Sequence, residues 1–187
     1  MINTKFFFKS LVKNDINFFS GVPDSLLKNI CAYISDHANS KNHIIAANEG
    51  NALAIGIGYY LATGKLPLIY MQNSGLGNIV NPLLSLSDPE VYSIPMLLMI
   101  GWRGQPGIKD EPQHKKQGRV TIEMLETMEI PYQILSTDKT DEQANEIIKT
   151  ATNEALKNNV PYAIVVQKDT FSKYTTKNDH FANYELF

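Results

Sequence analysis

Short apolar runs recur along the chain and are separated by polar, glycine-containing segments. Between these runs, apolar residues recur at helical spacing, most clearly from Ala144 to Ala155. Most runs are continuous rather than alternating, which is typical of strands covered on both faces. Alternation of strands with helices predicts an α/β fold, with a parallel sheet of about six strands and helices on both faces. The runs that predict strands are residues 18–20, 43–47, 66–72, 95–101, 132–135 and 162–167.

Three further segments bear on the domain organisation. Residues 51–63 are apolar on almost every side, which predicts a buried helix, and Gly64 is suited to end it. A second apolar stripe begins at Leu26, where Asp24 or Ser25 can cap the first turn. Residues 168–187 are polar, with scattered aromatic residues and no period. We therefore predict one domain over residues 1–167, followed by a tail or linker over residues 168–187.

The composition narrows the class of protein. The chain has 187 residues, of which 43% are hydrophobic and 19% charged, so it has the apolar material for a core and too little charge for disorder. Its net charge of -2 argues against nucleic-acid binding, which needs a basic surface. A single cysteine, Cys31, fits a reducing, cytoplasmic compartment. We expect no signal peptide and no membrane segment, because no apolar run approaches the roughly 18 residues that a spanning helix needs.

Polar residues follow the first three predicted strands, at the sheet edge where ligands bind in parallel α/β folds. Asp24 follows the first strand, Glu49 the second and Gln72 ends the third. Ordinary alternatives exist, because Asp24 can cap a helix and Glu49 can stabilise a helix N-terminus. The glycines at 75 and 77 are a weak signal alone, and the chain has neither a P-loop nor a dinucleotide fingerprint. A generic nucleotide-binding domain is therefore disfavoured.

The fourth predicted strand is followed by the longest polar loop, residues 101–118. This loop carries Arg103, Lys109 and His114 together with two carboxylates. Long loops inside compact domains are often functional, and a solvated charged loop is the ordinary alternative. We expect no metal site in the chain, because His114, Asp110 and Glu111 lack a recognised ligand spacing.

Taken together, these loops resemble the N-terminal, pyrimidine-binding (PYR) domain of thiamine-diphosphate-dependent decarboxylases. Within that superfamily the chain is most similar to the phosphonopyruvate decarboxylases, over roughly residues 10–168. The resemblance implies a PYR-type fold over residues 1–167. It also implies a carboxy-lyase that converts 3-phosphonopyruvate to phosphonoacetaldehyde and CO₂ in phosphonate biosynthesis. The segments that carry it are GVPDSLLK from Gly21, IIAANEGNA from Ile44, ATGKLPLIYMQNSGLGN from Ala62, NPLLSLSDPEVYSIPMLLMIGWRG from Asn81 and KDEPQHKKQG from Lys109.

The resemblance gives the loop after the second strand its role. It implies that Glu49 hydrogen-bonds the aminopyrimidine ring of thiamine diphosphate and favours the tautomer that removes the proton from the thiazolium ring. Residues of the next loop would pack near the same ring and the reacting centre. These cofactor-binding residues are Gln72, Asn73, Ser74 and Gly75.

The resemblance also implies which residues act on the substrate. Asp24 would face the substrate carbonyl and assist proton transfer. Arg103 and Lys109 are expected to bind the anionic groups, because Arg binds an oxyanion bidentately and Lys acts as a point charge. His114 is a candidate for proton transfer or anion binding, since the ordinary pKa of histidine lies close to working pH.

The chain departs from the family in one respect. Enzymes of this superfamily also need a diphosphate-binding domain with a Gly-Asp-Gly motif, which does not occur in this sequence. We therefore expect Mg²⁺ and the diphosphate to be held by such a domain or subunit. The chain would be one subunit of a split enzyme or the front half of a longer protein. Alone, it would bind thiamine diphosphate weakly, catalyse no turnover and self-associate as a homo-oligomer such as a dimer.

Two alternatives remain open from the sequence. One is the alpha subunit of a sulfopyruvate decarboxylase, whose substrate is close in shape and charge to phosphonopyruvate. The other is a non-catalytic partner module with a thiamine-domain fold. The presence of Glu49 in its family context counts against the non-catalytic module.

Overall fold

The computed structural model describes residues 1–177, which form a six-stranded, fully parallel sheet. The strands are β1 Phe18–Gly21, β2 His43–Ile45, β3 Pro67–Gln72, β4 Met96–Gly101, β5 Tyr132–Leu135 and β6 Pro161–Val166. Their order across the sheet is β2-β1-β3-β4-β6-β5. Each predicted strand is present, with ends that differ by no more than two residues, so the predicted parallel α/β sheet is confirmed.

Helices cover both faces of the sheet. They are α1 Thr4–Lys13, α2 Lys28–His37, α3 Glu49–Thr63, α4 Leu76–Pro82, α5 Pro112–Thr127 and α6 Asp141–Asn158. One apolar cluster joins the sheet to α1, α2 and α6, and a second joins it to α3, α4 and α5. The central strands β4 and β6 are buried along their whole length, as their continuous apolar runs predict. The three-layer architecture is therefore confirmed.

Local sequence signals fix where α3 begins and ends. The Asn48 side chain accepts a hydrogen bond from the backbone N–H of Asn51, which caps the first turn. Gly64 ends the helix with a φ of 69°, a left-handed conformation that glycine adopts without steric cost. The cap places Glu49 at the first helical position, directly above the carboxyl edge of the sheet.

The prediction that α3 is buried is wrong for one of its faces. Leu53 and Ile57 are buried against the sheet, whereas Leu61 is 68% exposed. At the neighbouring sheet edge, Ile44 and Ile45 of β2 are also exposed. The helix packs on β1 and β3 with one side only, so its all-round apolar character leaves an uncovered apolar surface.

The first ten residues of the predicted tail pack against the domain. Phe171 is buried, its ring centroid lies 4.9 Å from that of Phe7, and its backbone forms a parallel bridge with Ile2. The Tyr174 hydroxyl donates to Asp36 at 2.9 Å. The predicted boundary at residue 167 is therefore too early, because isolated aromatic residues hold this segment without any periodic pattern. Residues 178–187 of the predicted tail lie outside the described residues.

None of the helices in the described part of the chain combines the length and the apolar character that crossing a membrane requires.

Candidate active site

The carboxyl ends of the parallel strands bring the predicted site residues to one edge of the sheet. Asp24 follows β1, Glu49 follows β2, Gln72 ends β3 and Arg103 follows β4. Parallel strands place these loops side by side, which is why ligand sites concentrate at this edge in α/β folds. The loops form two groups of contacts, one around Glu49 and one around Asp24.

The Glu49 carboxylate is held between α3 and α4. Its Oε2 accepts a hydrogen bond from Nδ2 of Asn78 at 2.7 Å. A Cβ at Gly75 would lie only 2.4 Å from Cγ and 2.7 Å from Oε1 of Glu49, so the absence of a side chain at Gly75 is what admits the glutamate. Within residues 1–177, Oε1 receives no hydrogen bond. The site therefore presents a positioned, unused acceptor next to a backbone that a ligand can approach closely.

The segment after β3 divides into exposed and buried residues. Gln72 and Ser74 lie at the surface and are linked by a 2.7 Å hydrogen bond from Nε2 of Gln72 to Oγ of Ser74. Gly75 is buried beneath Glu49. Gly75 lies against the Glu49 carboxylate, and Gln72 and Ser74 precede it in the same segment. All three belong to the residues predicted to contact the cofactor.

Asn73 has a different environment from its neighbours. It is fully buried, and its Nδ2 donates to the carbonyl of Arg103 and to Oγ1 of Thr121, each at 2.8 Å. Its Oδ1 accepts from the backbone N–H of Arg103 at 3.2 Å. The polar atoms of this side chain are already satisfied inside the protein, so its place among the cofactor-binding residues stays a prediction. Asn73 ties the β3 segment to the β4 loop and to α5, and so positions both.

Asp24 lies in a buried position at the end of β4. Its Oδ2 accepts from the backbone N–H groups of Leu26 and Leu27 at 3.2 and 3.3 Å, in the turn before α2. The predicted side-chain cap of the helix is absent, because α2 begins at Lys28 with Leu27 as its N-cap. A Cβ at Gly101 would lie 2.2 Å from Oδ2, so glycine is needed there. Its Oδ1 is buried and has no hydrogen-bond partner within the described chain. An incompletely satisfied buried carboxyl is unusual in a folded protein and calls for a functional explanation.

The environment of Asp24 changes its acidity. Burial raises its pKa to about 6, and the charge of Arg103 and three backbone N–H donors act in the opposite direction. Burial dominates because removing a carboxylate from water disfavours the charged form. At neutral pH this carboxyl is therefore close enough to its pKa both to hold and to release a proton.

Arg103 is engaged by a neighbour that the sequence did not single out for it. Asp110 accepts from Nε at 2.9 Å and from Nη2 at 2.6 Å, a bidentate ion pair, and Nη1 donates to Oγ of Ser25 at 2.7 Å. Hydrogen bonds from Arg103 hold the pKa of Asp110 well below its usual range. The guanidinium predicted to bind substrate is thus oriented by the protein itself, and these bonds engage three of its five N–H donors.

The loop after β4 is shorter than predicted. Helix α5 begins at Pro112, a residue suited to the first helical turn, so residues 112–118 are helical. Lys109 is exposed in the remaining loop. His114 lies on the first turn of α5, where burial and the charge of Arg103 lower its pKa. Residues 112–118 are polar and lack an apolar period, so the sequence did not predict the start of α5.

Two of the residues that shape the site were missed at the sequence level. Asn78 supports Glu49 across α3 and α4, and Asp110 orients Arg103. For Asn78 the only sequence signal is weak, a polar side chain in the first turn of α4. Asp110 is seven residues from Arg103, a spacing that no regular element brings together. In the described part of the chain, no cluster of three or more His, Cys, Asp or Glu side chains is suited to a metal ion.

Comparison with known sequences identifies a matching family and several curated relatives. A model of the family described as thiamine pyrophosphate enzyme, N-terminal TPP binding domain, matches residues 3–125. Phosphonopyruvate decarboxylase of Streptomyces viridochromogenes is 41% identical over 124 residues, which are 66% of this chain and 30% of that protein. Sulfopyruvate decarboxylase subunit alpha of Methanococcus maripaludis is 35% identical over 159 residues, which are 85% of this chain and 90% of that protein.

Solved structures show the same fold. Benzoylformate decarboxylase from Polynucleobacter necessarius superposes with a TM-score of 0.69 at 18% identity, over 94% of this chain and 32% of that one. The thiamine diphosphate-dependent 4-hydroxybenzoylformate decarboxylase of Rhodococcus jostii gives a TM-score of 0.63 at 18% identity. The chain thus spans about a third of these enzymes and of the matched phosphonopyruvate decarboxylase, and nine tenths of the matched sulfopyruvate subunit.

Proposed function

This chain belongs to the family of N-terminal TPP binding domains of thiamine pyrophosphate enzymes, and we propose that it is the pyrimidine-binding half of a thiamine-diphosphate-dependent decarboxylase. The proposed substrate is 3-phosphonopyruvate, which loses CO₂ to give phosphonoacetaldehyde in phosphonate biosynthesis. Identity of 41% to two phosphonopyruvate decarboxylases supports this choice of substrate. The observation that carries the proposal is the Glu49 carboxylate, seated on Gly75 with one oxygen free to accept a hydrogen bond.

The residues around Glu49 fit the aminopyrimidine ring of thiamine diphosphate. In the proposal, Oε1 of Glu49 accepts a hydrogen bond from that ring while Asn78 holds Oε2 in place. Gln72, Ser74 and Gly75 supply the surface beside it, and Gly75 allows close approach of the backbone. When bound, the cofactor supplies the electron sink for the pair of electrons left as the bond to CO₂ breaks. Rigid support of the glutamate favours one geometry of this contact.

Asp24 is proposed to handle the proton that replaces CO₂ on the product. A pKa of about 6 lets its carboxyl exchange a proton near neutral pH, and Oδ1, the buried atom without an internal partner, is the proposed holder of that proton. The positive charge of Arg103 acts on Asp24 by lowering its pKa, against the effect of burial. Arg103 is also proposed to bind an anionic group of the substrate. Lys109 and His114 remain proposed substrate-binding and proton-transfer residues, on the loop and the helix start that follow Arg103.

The proposed enzyme needs a partner that holds the diphosphate and Mg²⁺. The exposed apolar side chains of Ile44 and Ile45 on β2 and of Leu61 on α3 support docking of a diphosphate-binding domain or subunit on this side of the sheet. A relative named as a subunit alpha supports the same division of labour. We propose a cytoplasmic assembly that also contains more than one copy of this chain, since closed symmetric oligomers are the common form of such enzymes.

A second candidate function is the alpha subunit of a sulfopyruvate decarboxylase. The matches to three sulfopyruvate decarboxylase alpha subunits extend over 151–159 residues of this chain, farther than the 124 residues matched to a phosphonopyruvate decarboxylase. Both candidate reactions release CO₂ from a 2-oxo acid that carries a second anionic group. The two substrates differ at the end remote from the carboxylate, which carries a phosphonate in one and a sulfonate in the other.

A reconstituted enzyme tests the proposal. The chain is combined with the diphosphate-binding domain from the adjacent coding sequence, and CO₂ release is measured from phosphonopyruvate and from sulfopyruvate. Cofactor-dependent turnover of phosphonopyruvate is expected, and only in the complemented sample. Preference for sulfopyruvate would establish the second candidate. A stable complex that turns over neither substrate would contradict both and favour a non-catalytic module.

A further inference from the structure

A cleft lies beside the Asp24 group, on the side away from Glu49. It has a volume of about 420 Å³ and is lined by the start of α2, the loop after β4 and the segment after β6. Five of its lining side chains carry the argument: Ser25, Lys28, Arg103, Lys168 and Lys173. They come from three separate parts of the sequence, so the cleft exists only in the folded chain.

Positive charge is concentrated in this cleft. Four cationic side chains line it, against the two carboxylates of Asp110 and Asp169. Asp110 is already paired with Arg103, whereas Lys28, Lys168 and Lys173 take part in none of the ion pairs among the described residues. The whole chain carries a net charge of -2, so this local excess runs against its overall balance. Uncompensated lysines around a concave surface favour an anionic ligand.

The cleft also adjoins the proposed proton-transfer group. Ser25 follows Asp24 directly, and its Oγ accepts from Nη1 of Arg103 at 2.7 Å. Arg103 is close enough to Asp24 for its charge to oppose the effect of burial on that carboxyl. An anion among the lysines would therefore lie close to Arg103 and Ser25, which line the same cleft and adjoin Asp24.

We propose that Lys28, Lys168 and Lys173 form a subsite for a tetrahedral oxyanion, the phosphonate or sulfonate at the remote end of the substrate. The assignment rests on the proposed function for the source of this anion. In a 3-phosphono- or 3-sulfo-2-oxo acid, one methylene separates the oxyanion from the reacting carbonyl, so the two ends occupy adjacent positions. Lysines act as point charges and suit a tetrahedral anion without a fixed plane. Arg103, fixed by Asp110, lines the same cleft and adds a further positive charge to it.

Binding to the isolated chain tests the subsite without any turnover. Line broadening in ³¹P NMR is measured for inorganic phosphate and for phosphonopyruvate, with pyruvate added as a competitor that lacks the remote oxyanion. Both phosphorus probes are expected to bind and to compete, and pyruvate is expected to displace neither. The double variant K168Q/K173Q should weaken both by about tenfold or more, because two charges are lost. Lys157→Gln, at the end of α6 and outside the cleft, is the matched control and should bind as the original chain does.

The outcomes separate the subsite from the reaction. No broadening by the original chain, or equal broadening by K168Q/K173Q, would overturn the subsite. If phosphate bound and phosphonopyruvate failed to displace it, the subsite would not belong to the substrate. It would then be a site for free phosphate. In the reconstituted enzyme, the double variant should raise KM for phosphonopyruvate about tenfold and change kcat little. If that enzyme decarboxylated no 2-oxo acid while the lysine-dependent binding persisted, the proposed function would fail and the anion site would stand.

Discussion

The two groups at the carboxyl edge hold their carboxyl side chains in contrasting ways. On the α3 side, Glu49 lies partly exposed, with a hydrogen bond from Asn78 on one oxygen and the other oxygen free. On the α2 side, Asp24 is buried, and its free oxygen, Oδ1, is buried with it. The first arrangement leaves an acceptor available to a ligand, whereas the second raises the pKa of a group enclosed by protein.

This contrast agrees with the two proposed roles at one sheet edge. An exposed, braced acceptor suits the fixed contact that a cofactor ring needs, and geometry is what matters there. A buried carboxyl with a pKa of about 6 suits proton transfer, where the protonation state matters. Substitutions that act on one side alone can therefore separate the two roles.

The largest effect is expected for Glu49→Gln in the reconstituted enzyme. The amide keeps the shape of the side chain and loses the charged acceptor, so kcat should fall roughly 100- to 1,000-fold, as when one preorganised catalytic hydrogen bond is lost. Steady-state CO₂ release measures it. Glu123→Gln, an exposed glutamate on α5, is the control and should leave kcat unchanged. Unchanged decarboxylation in Glu49→Gln would remove the glutamate from the proposed chemistry.

Asp24→Asn should change both activity and the pH dependence of stability. The folded-state pKa of Asp24, about 6, lies above its ordinary value of 3.8, so the folded chain binds an extra proton between these values. Stability present below about pH 4 is therefore lost as the pH rises through 6, by roughly 3 kcal/mol for two pKa units. The asparagine variant avoids this loss. The melting temperature of the variant minus that of the original chain should therefore increase between pH 4.5 and pH 8.

Thermal melts followed by circular dichroism over that pH range measure the gain. The exposed residue Asp15, paired with Lys65 at 3.7 Å, provides the control, because Asp15→Asn removes a carboxylate only from a surface ion pair. A constant difference between Asp24→Asn and the original chain at all pH values would show that Asp24 titrates normally. Loss of decarboxylation in a stabilised Asp24→Asn enzyme would tie the buried carboxyl to function rather than to folding.

Asp110→Asn should act with the opposite sign. The pKa of Asp110 is held below its usual range mainly by Arg103, so its ion pair stabilises the fold at neutral pH and is lost on acidification. At pH 7 the variant should be less stable by roughly 1–2 kcal/mol, because a charged hydrogen-bond acceptor is removed. The gap should narrow as the pH falls below about 4, because the carboxyl of the unfolded chain takes up a proton there whereas the folded one, with its lowered pKa, stays charged. Urea unfolding at pH 7 and pH 3 measures it, and a gap that widens in acid would contradict the ion-pair explanation.

Much of the fold was predictable from the sequence because its signals are local. Continuous apolar runs gave the strands, and parallel connections followed from the helical segments between them. The start of α5 was missed because residues 112–118 are polar and the helix has only a narrow apolar face. The packing of residues 168–177 was missed because Phe171 and Tyr174 find their partners, Phe7 and Asp36, more than 130 residues away.

The site also contains residues that local signals identify and residues that depend on packing between distant segments. Asp24 and Glu49 were identifiable because each follows a strand, and strand ends define the ligand edge of a parallel sheet. The burial of Asn73 and the pairing of Arg103 with Asp110 depend on how loops pack, which spacing does not encode. The lysine cleft joins Lys28 to Lys173 across most of the sequence, so only the folded chain brings them together.

The smallest expected effect, Gly75→Ala, probes the Glu49 side alone. A Cβ there would lie 2.4–2.7 Å from Cγ, Cδ and Oε1 of Glu49, so the glutamate side chain must shift to admit it. We expect kcat to fall about tenfold, the cost of misplacing a catalytic contact that still forms. Gly77→Ala is the matched control, because no atom lies within 4 Å of the added Cβ and alanine favours the α4 helix. Equal activity of both variants would show that Glu49 tolerates displacement, and its braced position would then serve the fold instead of the cofactor.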